Sequence, residues 1–227
     1  VAEFCDLVSL KKPLPIALAL AGYSLFAYFR LTETTNLLLL TATLFVSIKC
    51  ILFIFDKGRQ KSDITSKYVY LTGYIILPFI LLSKIPFQGN VYQPKIIFSI
   101  FILIWTNDTF AFIVGKSIGK HKLFERISPK KTIEGFVGGL VFAVFAGIQL
   151  AMYCISQSIY IWIIIALIVG VFGTTGDLVE SKFKRVAQVK DSGTIMPGHG
   201  GILDRLDSVI FAAPFVFLFY QILNYVS

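Results

Sequence analysis

The longest stretch of this chain without a charged residue runs from Gly135 to Gly176, 42 residues in all. A helix needs about 20 mostly apolar residues to cross roughly 30 Å of hydrocarbon. The run is therefore two crossings long, and the polar Ser156-Gln157-Ser158 break predicts a tight helical hairpin between them. Ser208 to Ser227 is a second uncharged run, 20 residues long. Upstream, Pro13–Phe29, Asn36–Phe55 (carrying Lys49), Tyr68–Ser83 and Ile96–Gly115 (carrying Asp108) have the same character. The pattern predicts about seven spans, of which Tyr68–Ser83 is the weakest because it is short and contains Pro78. One such segment could be the core helix of a soluble domain, but seven in series could not. Composition agrees, with 56% apolar and 15% charged residues, against about 25% charged in an ordinary globular domain. Disorder, a disulfide scaffold and a collagen-like repeat are excluded by the same figures. The expected fold is all-α, a polytopic transmembrane helix bundle forming a single integral membrane domain over residues 1–227.

The few charges are unevenly placed. There are 21 Lys+Arg against 13 Asp+Glu, a net charge of +8. If the stretch before Pro13 is assigned to one side, that side holds residues 1–12, 56–67, 116–134 and 177–207. These carry 2, 4, 6 and 5 basic residues. The other side holds Arg30, Lys84 and Lys95, with Lys49 inside a span. The excess of Lys and Arg marks the cytoplasmic side, so the C-terminus is expected to face away from it. A basic balance suits nucleic acid or an anionic membrane, and the apolar excess selects the membrane, with no nucleic acid expected. Cys5, Cys50 and Cys154 are widely separated, which gives no zinc-type spacing and argues against a disulfide framework. The chain begins at Val1 without Met or a signal peptide, as a fragment or processed form would.

Eight acids cluster in or beside the loops 116–134 and 177–207: Asp108, Glu125, Glu134, Asp177, Glu180, Asp191, Asp204 and Asp207. Asp108 lies inside an apolar span, where an ionisable group costs a few kcal/mol on the gentler insertion scales and calls for a function or a partner. Pairing with a neighbouring lysine is the bland reading for it. Asp177, Glu180 and Ser181 share one face if the sixth span continues as a helix, and Asp204 and Asp207 repeat the i, i+3 spacing at the start of the seventh. Capping accounts for one acid per helix end. Five acids at neighbouring ends suit a hard cation such as Mg²⁺, which keeps water and substrate phosphate in its shell. The same loops offer phosphate-binding groups: Lys182, Lys184, Arg185 and Lys190, the run Pro197-Gly198-His199-Gly200-Gly201, and Ser128-Pro129-Lys130-Lys131-Thr132. Thr132 or Ser128 could cap the fifth span. Lys120, Lys122 and Arg126 read more simply as a positive-inside loop. Gly115-Lys116-Ser117 is no P-loop, since Phe110 occupies the position of the earlier glycine.

Residues 181–207, S-K-F-K-R-V-A-Q-V-K-D-S-G-T-I-M-P-G-H-G-G-I-L-D-R-L-D, resemble the signature of the phosphatidate cytidylyltransferases (CDP-diacylglycerol synthases) along its full length. Ser181, Lys184, Arg185, Lys190, Asp191, His199, Gly200, Gly201, Asp204, Arg205 and Asp207 fall where that pattern places them. Asn107-Asp108-Thr109-Phe110-Ala111-Phe112 with Gly115, and the stretch Ser128 to Gly139, agree as well, with Phe112 where the family usually has Tyr. The resemblance covers residues 95–227, the expected catalytic helices and loops. Residues 1–94 supply N-terminal spans, of which family members generally have one or two more.

The resemblance implies transfer of CMP from CTP to phosphatidate, giving CDP-diacylglycerol and pyrophosphate for phospholipid biosynthesis, with Mg²⁺ required and a second metal ion left open. It implies Asp177 and Asp204 as principal metal ligands, with Asp207 and Asp108 completing the acidic site. Lys184, Arg185, Lys130 and Lys131 are implied as phosphate-binding cations, and Ser128, Thr132, Ser181, Lys190, His199, Gly200, Gly201 and Arg205 as substrate-binding positions. The implied partners are CTP, phosphatidate, membrane lipid and a second copy in a homodimer. The implied location is a bacterial inner membrane with the site facing the cytoplasm. Another CTP-dependent lipid enzyme, an ether-lipid cytidylyltransferase or polyprenol kinase, is the nearest rival. An ion or metal transporter using Asp108 is a rival of another class.

Overall fold

The protein is described by a computed structural model over residues 1–28, 32–56, 63–88, 91–155, 157–195, 198 and 200–226. Arg30, Lys57, Arg59, Lys61 and Ser156, used above for sidedness and for the hairpin break, lie outside the described residues. The helices in chain order are α1 (Ala2–Val8), α2 (Pro13–Tyr28), α3 (Glu33–Phe55), α4 (Ile64–Tyr70), α5 (Leu77–Lys84), α6 (Pro94–Ile118), α7 (Ile133–Tyr153), α8 (Ile159–Val186) and α9 (Leu203–Val226). A π-helical turn, Leu71–Ile76, runs α4 into α5 without a break. Two antiparallel hairpins join helices: β1 (Phe87–Gln88) with β2 (Val91–Tyr92) before α6, and β3 (Lys122–Phe124) with β4 (Ser128–Thr132) before α7.

Among the described residues, six helices are long and apolar enough to cross a membrane. The expected span at Pro13 is described over a shorter length. It forms α2, whose 16 described residues rise about 24 Å. α3 starts after Thr32, whose hydroxyl accepts the Thr35 amide at 3.3 Å. The span with Pro78 reaches full length, 21 residues from Ile64 to Lys84. Proline lacks the amide a helix interior needs, and Pro78 sits where the π turn hands over to α5, in that helix's first turn. At α4 the Asp63 carboxylate accepts the Ser66 amide at 3.1 Å, and the Ser66 donors hold its pKa below the ordinary value. Thr132, one of the two expected caps of α7, does cap it, accepting the Gly135 amide at 3.1 Å.

Outward-facing side chains such as Phe45, Leu52, Phe98, Trp105, Val141 and Phe145 are each more than half exposed. So much exposed apolar surface, on helices of crossing length, is that of an integral membrane protein. The interior has two parts. One is centred on Trp162, Leu103 and Ile165, with the Trp162 indole N–H donating to Gln157 at 3.1 Å. The other gathers aromatic rings on Phe183 of α8: Phe4 at 5.2 Å, Phe53 at 5.0 Å, Tyr70 at 5.4 Å and Tyr74 at 5.8 Å between centroids.

The four stretches grouped by their basic residues meet at one end of the bundle. The Asp56 carbonyl accepts from both Arg126 and Lys182, each at 2.8 Å. Lys131 of β4 pairs with Asp177 of α8, and Glu3 of α1 accepts the amides of Ile202 and Leu203. Two helix crossings bring backbones into contact. A Cβ at Gly139 would lie 2.7 Å from the Asn107 carbonyl, and one at Gly176 would lie 2.6 Å from the Asp207 carbonyl. Small residues permit such approach where apolar burial gives no net drive. Gly176→Ala must push α9 away from α8. It is expected to destabilise the protein by about 1–3 kcal/mol, read as a lower melting temperature in detergent. Val171→Ala, on the outer face of α8, is expected to stay within about 0.5 kcal/mol.

Candidate active site

α8 continues as a regular helix past the apolar run to Val186, so the expected alignment of its polar residues is realised. Asp177 Oδ1 accepts the Ser181 hydroxyl at 3.1 Å, and Glu180 Oε2 accepts Lys184 Nζ at 3.0 Å, each one turn on. The first turn of α9 lies alongside. Lys184 Nζ also donates to Asp204 Oδ1 at 2.6 Å, tying the two helices together through one largely enclosed ammonium.

Asp204 is held on every side. Its Oδ2 accepts the Ser192 amide at 2.9 Å, the Ser192 hydroxyl at 2.9 Å and the Gly201 amide at 2.8 Å. A carboxylate oxygen has about two lone-pair directions, so Oδ2 is saturated and Oδ1 is engaged by lysine. Gly200 and Gly201 serve this carboxylate. Gly200 has φ +85°, and a Cβ there would come within 2.7 Å of Asp204 Oδ2. Gly201 spends its amide on the same oxygen. Gly200 and Gly201 thus lie against an internal anion.

A second group of charges lies one turn deeper. Lys131 of β4 reaches Asp177 Oδ2 at 2.5 Å. Asp207, 6% exposed, accepts the Ser208 amide at 2.7 Å and stands within coulombic range of Asp177 and Lys131. Asp108 of α6, bonded by the Asn107 amide at 3.2 Å, is in coulombic range of Lys131 and Asp177 as well. Glu180 Oε1 is buried without a partner, and so is the Tyr74 hydroxyl of the π turn, whose charged surroundings are Glu180, Asp207 and Asp177. Five carboxylates thus face two ammonium groups, with Glu180 and Asp207 buried and Asp108 and Asp177 reaching the open side. The balance of charge favours a cation.

Among the described residues no three His, Cys, Asp or Glu groups stand close enough to hold a metal ion by themselves. The donors fit Mg²⁺ in its common mode, one or two carboxylates with water and phosphate completing the octahedron. Asp177, on Ser181 and Lys131, and Asp207, on the Ser208 amide, could supply such donors, while Asp204 already has three donors on one oxygen and Lys184 on the other.

Other sequence-selected residues are placed differently. Arg185 is exposed and donates from Nε to the Ile127 carbonyl at 3.3 Å, bracing the β3–β4 hairpin. Lys130 and Lys190 are exposed beside the site, as is Arg205 in the first turn of α9, and Ser128 opens β4. Thr132 is spent on its cap, and His199 lies outside the described residues. Glu134 clasps the preceding loop, accepting the Lys120 and His121 amides and the His121 ring. The sequence reading missed Tyr74, Ser192 and Glu3. Tyr74 resembles any apolar-span tyrosine, and Glu3 is 201 positions from the acid with which it shares Ser192.

Lys184→Met leaves Glu180 and Asp204 buried without their countercharge. It is expected to destabilise the protein by about 3–5 kcal/mol, measured by thermal denaturation in detergent. The exposed Lys190→Ala is expected to shift stability by less than about 0.5 kcal/mol.

Comparison with known proteins brings the sequence and the site together. The cytidylyltransferase family model matches residues 1–223. The phosphatidate cytidylyltransferase of Staphylococcus saprophyticus is 40% identical over 185 residues, 70% of each chain. That of Bacillus subtilis is 43% identical over 182 residues, 80% of this chain and 64% of its own. That of Staphylococcus aureus is 51% identical over 116 residues, 50% of this chain and 44% of its own. The matched part of this chain thus spans between 44% and 70% of those relatives.

Proposed function

The chain belongs to the cytidylyltransferase family, and we propose that it transfers CMP from CTP to phosphatidate, releasing pyrophosphate and forming CDP-diacylglycerol. The observation that carries this reading is the cluster of Asp108, Asp177 and Asp207 around Lys131, at the bundle end where the basic stretches converge. A lipid phosphate in the headgroup layer and a nucleotide from the aqueous side can both reach such a place. The basic face is cytoplasmic on the distribution of Lys and Arg, the C-terminus faces away from it, and a bacterial inner membrane is the setting that fits the relatives.

In the proposed reaction a phosphatidate oxygen attacks the α-phosphorus of CTP, and the bond from that phosphorus to the bridging oxygen of the β-phosphate breaks. The attacking oxygen is already anionic near neutral pH, so no side chain has to remove a proton. Positioning and charge neutralisation remain. Lys131 and the exposed Lys130 of β4 present ammonium groups to the polyphosphate. Asp177 and Asp207 would hold Mg²⁺, and Asp108 adds negative potential behind them. The bound ion supplies neutralisation of the charge on the transferring and leaving phosphates. Lys184 does not need to touch substrate, because it fixes Asp204, and with it the first turn of α9 that carries Asp207.

The test uses CTP labelled at either the α- or the γ-phosphate, phosphatidate vesicles and the purified protein. Label from the α-position is expected in lipid only with Mg²⁺ present, and EDTA is expected to abolish it. Asp177→Asn and Asp207→Asn are each expected to lower kcat at least 100-fold with the protein still folded, whereas Arg185→Ala retains activity within about threefold. Label appearing in lipid from the γ-position would identify a kinase and refute the assignment.

A further inference from the structure

α1 has no part in the signature of residues 181–207, yet it reaches the catalytic end of the bundle. Phe4, fully buried, packs edge-on against Phe183 at 5.2 Å and against Tyr74 at 5.9 Å. That contact fixes α1 beside α8 and delivers Glu3 into the loop before α9. Glu3 as a residue is 8% exposed. Its Oε1 accepts the Ile202 amide at 2.9 Å and its Oε2 the Leu203 amide at 2.7 Å. The amides that open a helix have no partner within it, and here an acid from the far end of the chain supplies one. The loop is shaped around that acid. A Cβ at Gly193 would lie 2.7 Å from Glu3 Oε1, and one at Gly201 would lie 2.7 Å from Oε2.

The bonding continues inward. The Ser192 hydroxyl lies 3.3 Å from Glu3 Oε2 and 2.9 Å from Asp204 Oδ2. Asp204 passes to Lys184 at 2.6 Å, and Lys184 to Glu180 at 3.0 Å. Glu3 and Asp204 therefore divide the loop between them, Glu3 taking the amides of 202 and 203 and Asp204 those of 192 and 201.

We infer that Glu3 is a positioning residue for the cytidylyltransferase reaction: its carboxylate sets the start of α9, and so the placement of Asp204 and Asp207 against Asp177 on α8. The inference rests on the function proposed above. It gives the N-terminal helix a role in turnover, whereas a packing role alone would affect only how much protein folds.

The experiment compares wild type with Glu3→Gln, Glu3→Asp and Glu3→Ala, and with Asp6→Asn as a control from the same helix. Asp6 pairs with Lys12 on the exposed side, at 2.8 Å. Turnover of CTP with phosphatidate is measured per mole of folded protein, and hydrogen–deuterium exchange is followed in peptides covering residues 200–206 and 36–55. Gln keeps the volume but turns an acceptor oxygen into an amide donor facing an N–H. Glu3→Gln and Glu3→Ala are expected to lower kcat at least tenfold with KM for CTP within threefold. Both should speed exchange over 200–206 and leave 36–55 unchanged. Glu3→Asp, which keeps the charge, is expected to recover part of kcat, and Asp6→Asn to match wild type. Unchanged exchange over 200–206 in Glu3→Gln would overturn the inference, as would kcat within twofold of wild type. Should Glu3→Ala fail to fold, Glu3→Gln and Glu3→Asp still decide by the same readouts. A wild-type protein that makes no CDP-diacylglycerol would refute the functional reading instead, and faster exchange in Glu3→Gln would still report the Glu3 hold on α9.

Discussion

Lys184 is the only described ammonium that bonds two carboxylates from different helices, and the arrangement of the site follows from it. Its Nζ lies 3.0 Å from Glu180 on its own helix and 2.6 Å from Asp204 on α9. Removing three charges from water is expensive, and attraction at short range repays it only when the geometry is good and the remaining lone pairs find donors. Asp204 meets that condition through Ser192 and Gly201. Glu180 meets it on one oxygen only. The arrangement locks α8 to α9 at a fixed rotation, so that Asp177 and Asp207, one turn deeper, come within coulombic range of one another.

That lock would have no effect if the helices stood a normal distance apart. Gly176 lets α9 approach until the Asp207 carbonyl nearly touches the α8 backbone, and Gly139 does the same for α7 on α6 at Asn107. Glycine near the acids is therefore a spacing device, set where the carboxylates must converge. On the other side of the site, the π turn at Leu71–Ile76 carries Tyr74 into the same region with its hydroxyl unpaired. π-helical segments recur at functional sites because the wider turn re-aims side chains that a regular helix would place elsewhere.

Much of this was legible in the residues. Hydropathy located the crossing helices, and the basic residues grouped the loops that the structure joins through Asp56, Asp177 and Glu3. The stretch at Pro13 is helical as expected, over the 16 described residues of α2. The acids were found as a set, but their division of labour was not. Asp204 and Asp207 have the same spacing and similar neighbours. One faces the Ser192–Gly201 loop and is consumed by donors, while the other is buried with the Ser208 amide and lies in coulombic range of Asp177 and Lys131. Of the glycines read as an anion cradle, Gly201 donates to the internal Asp204 carboxylate and Gly200 lies close against it.

By itself the sequence determined the solvent, the one-sided placement of charge and the signature that ties residues 181–207 to a family. These depend on composition and on local order along the chain, which survive without coordinates. Only the tertiary structure decided which carboxylate meets which lysine, which glycine permits a close approach, and that an acid at position 3 caps a helix beginning at position 203. Those pairings join residues far apart in the chain. Each is set by the rotation and separation of packed helices, which local sequence order does not encode.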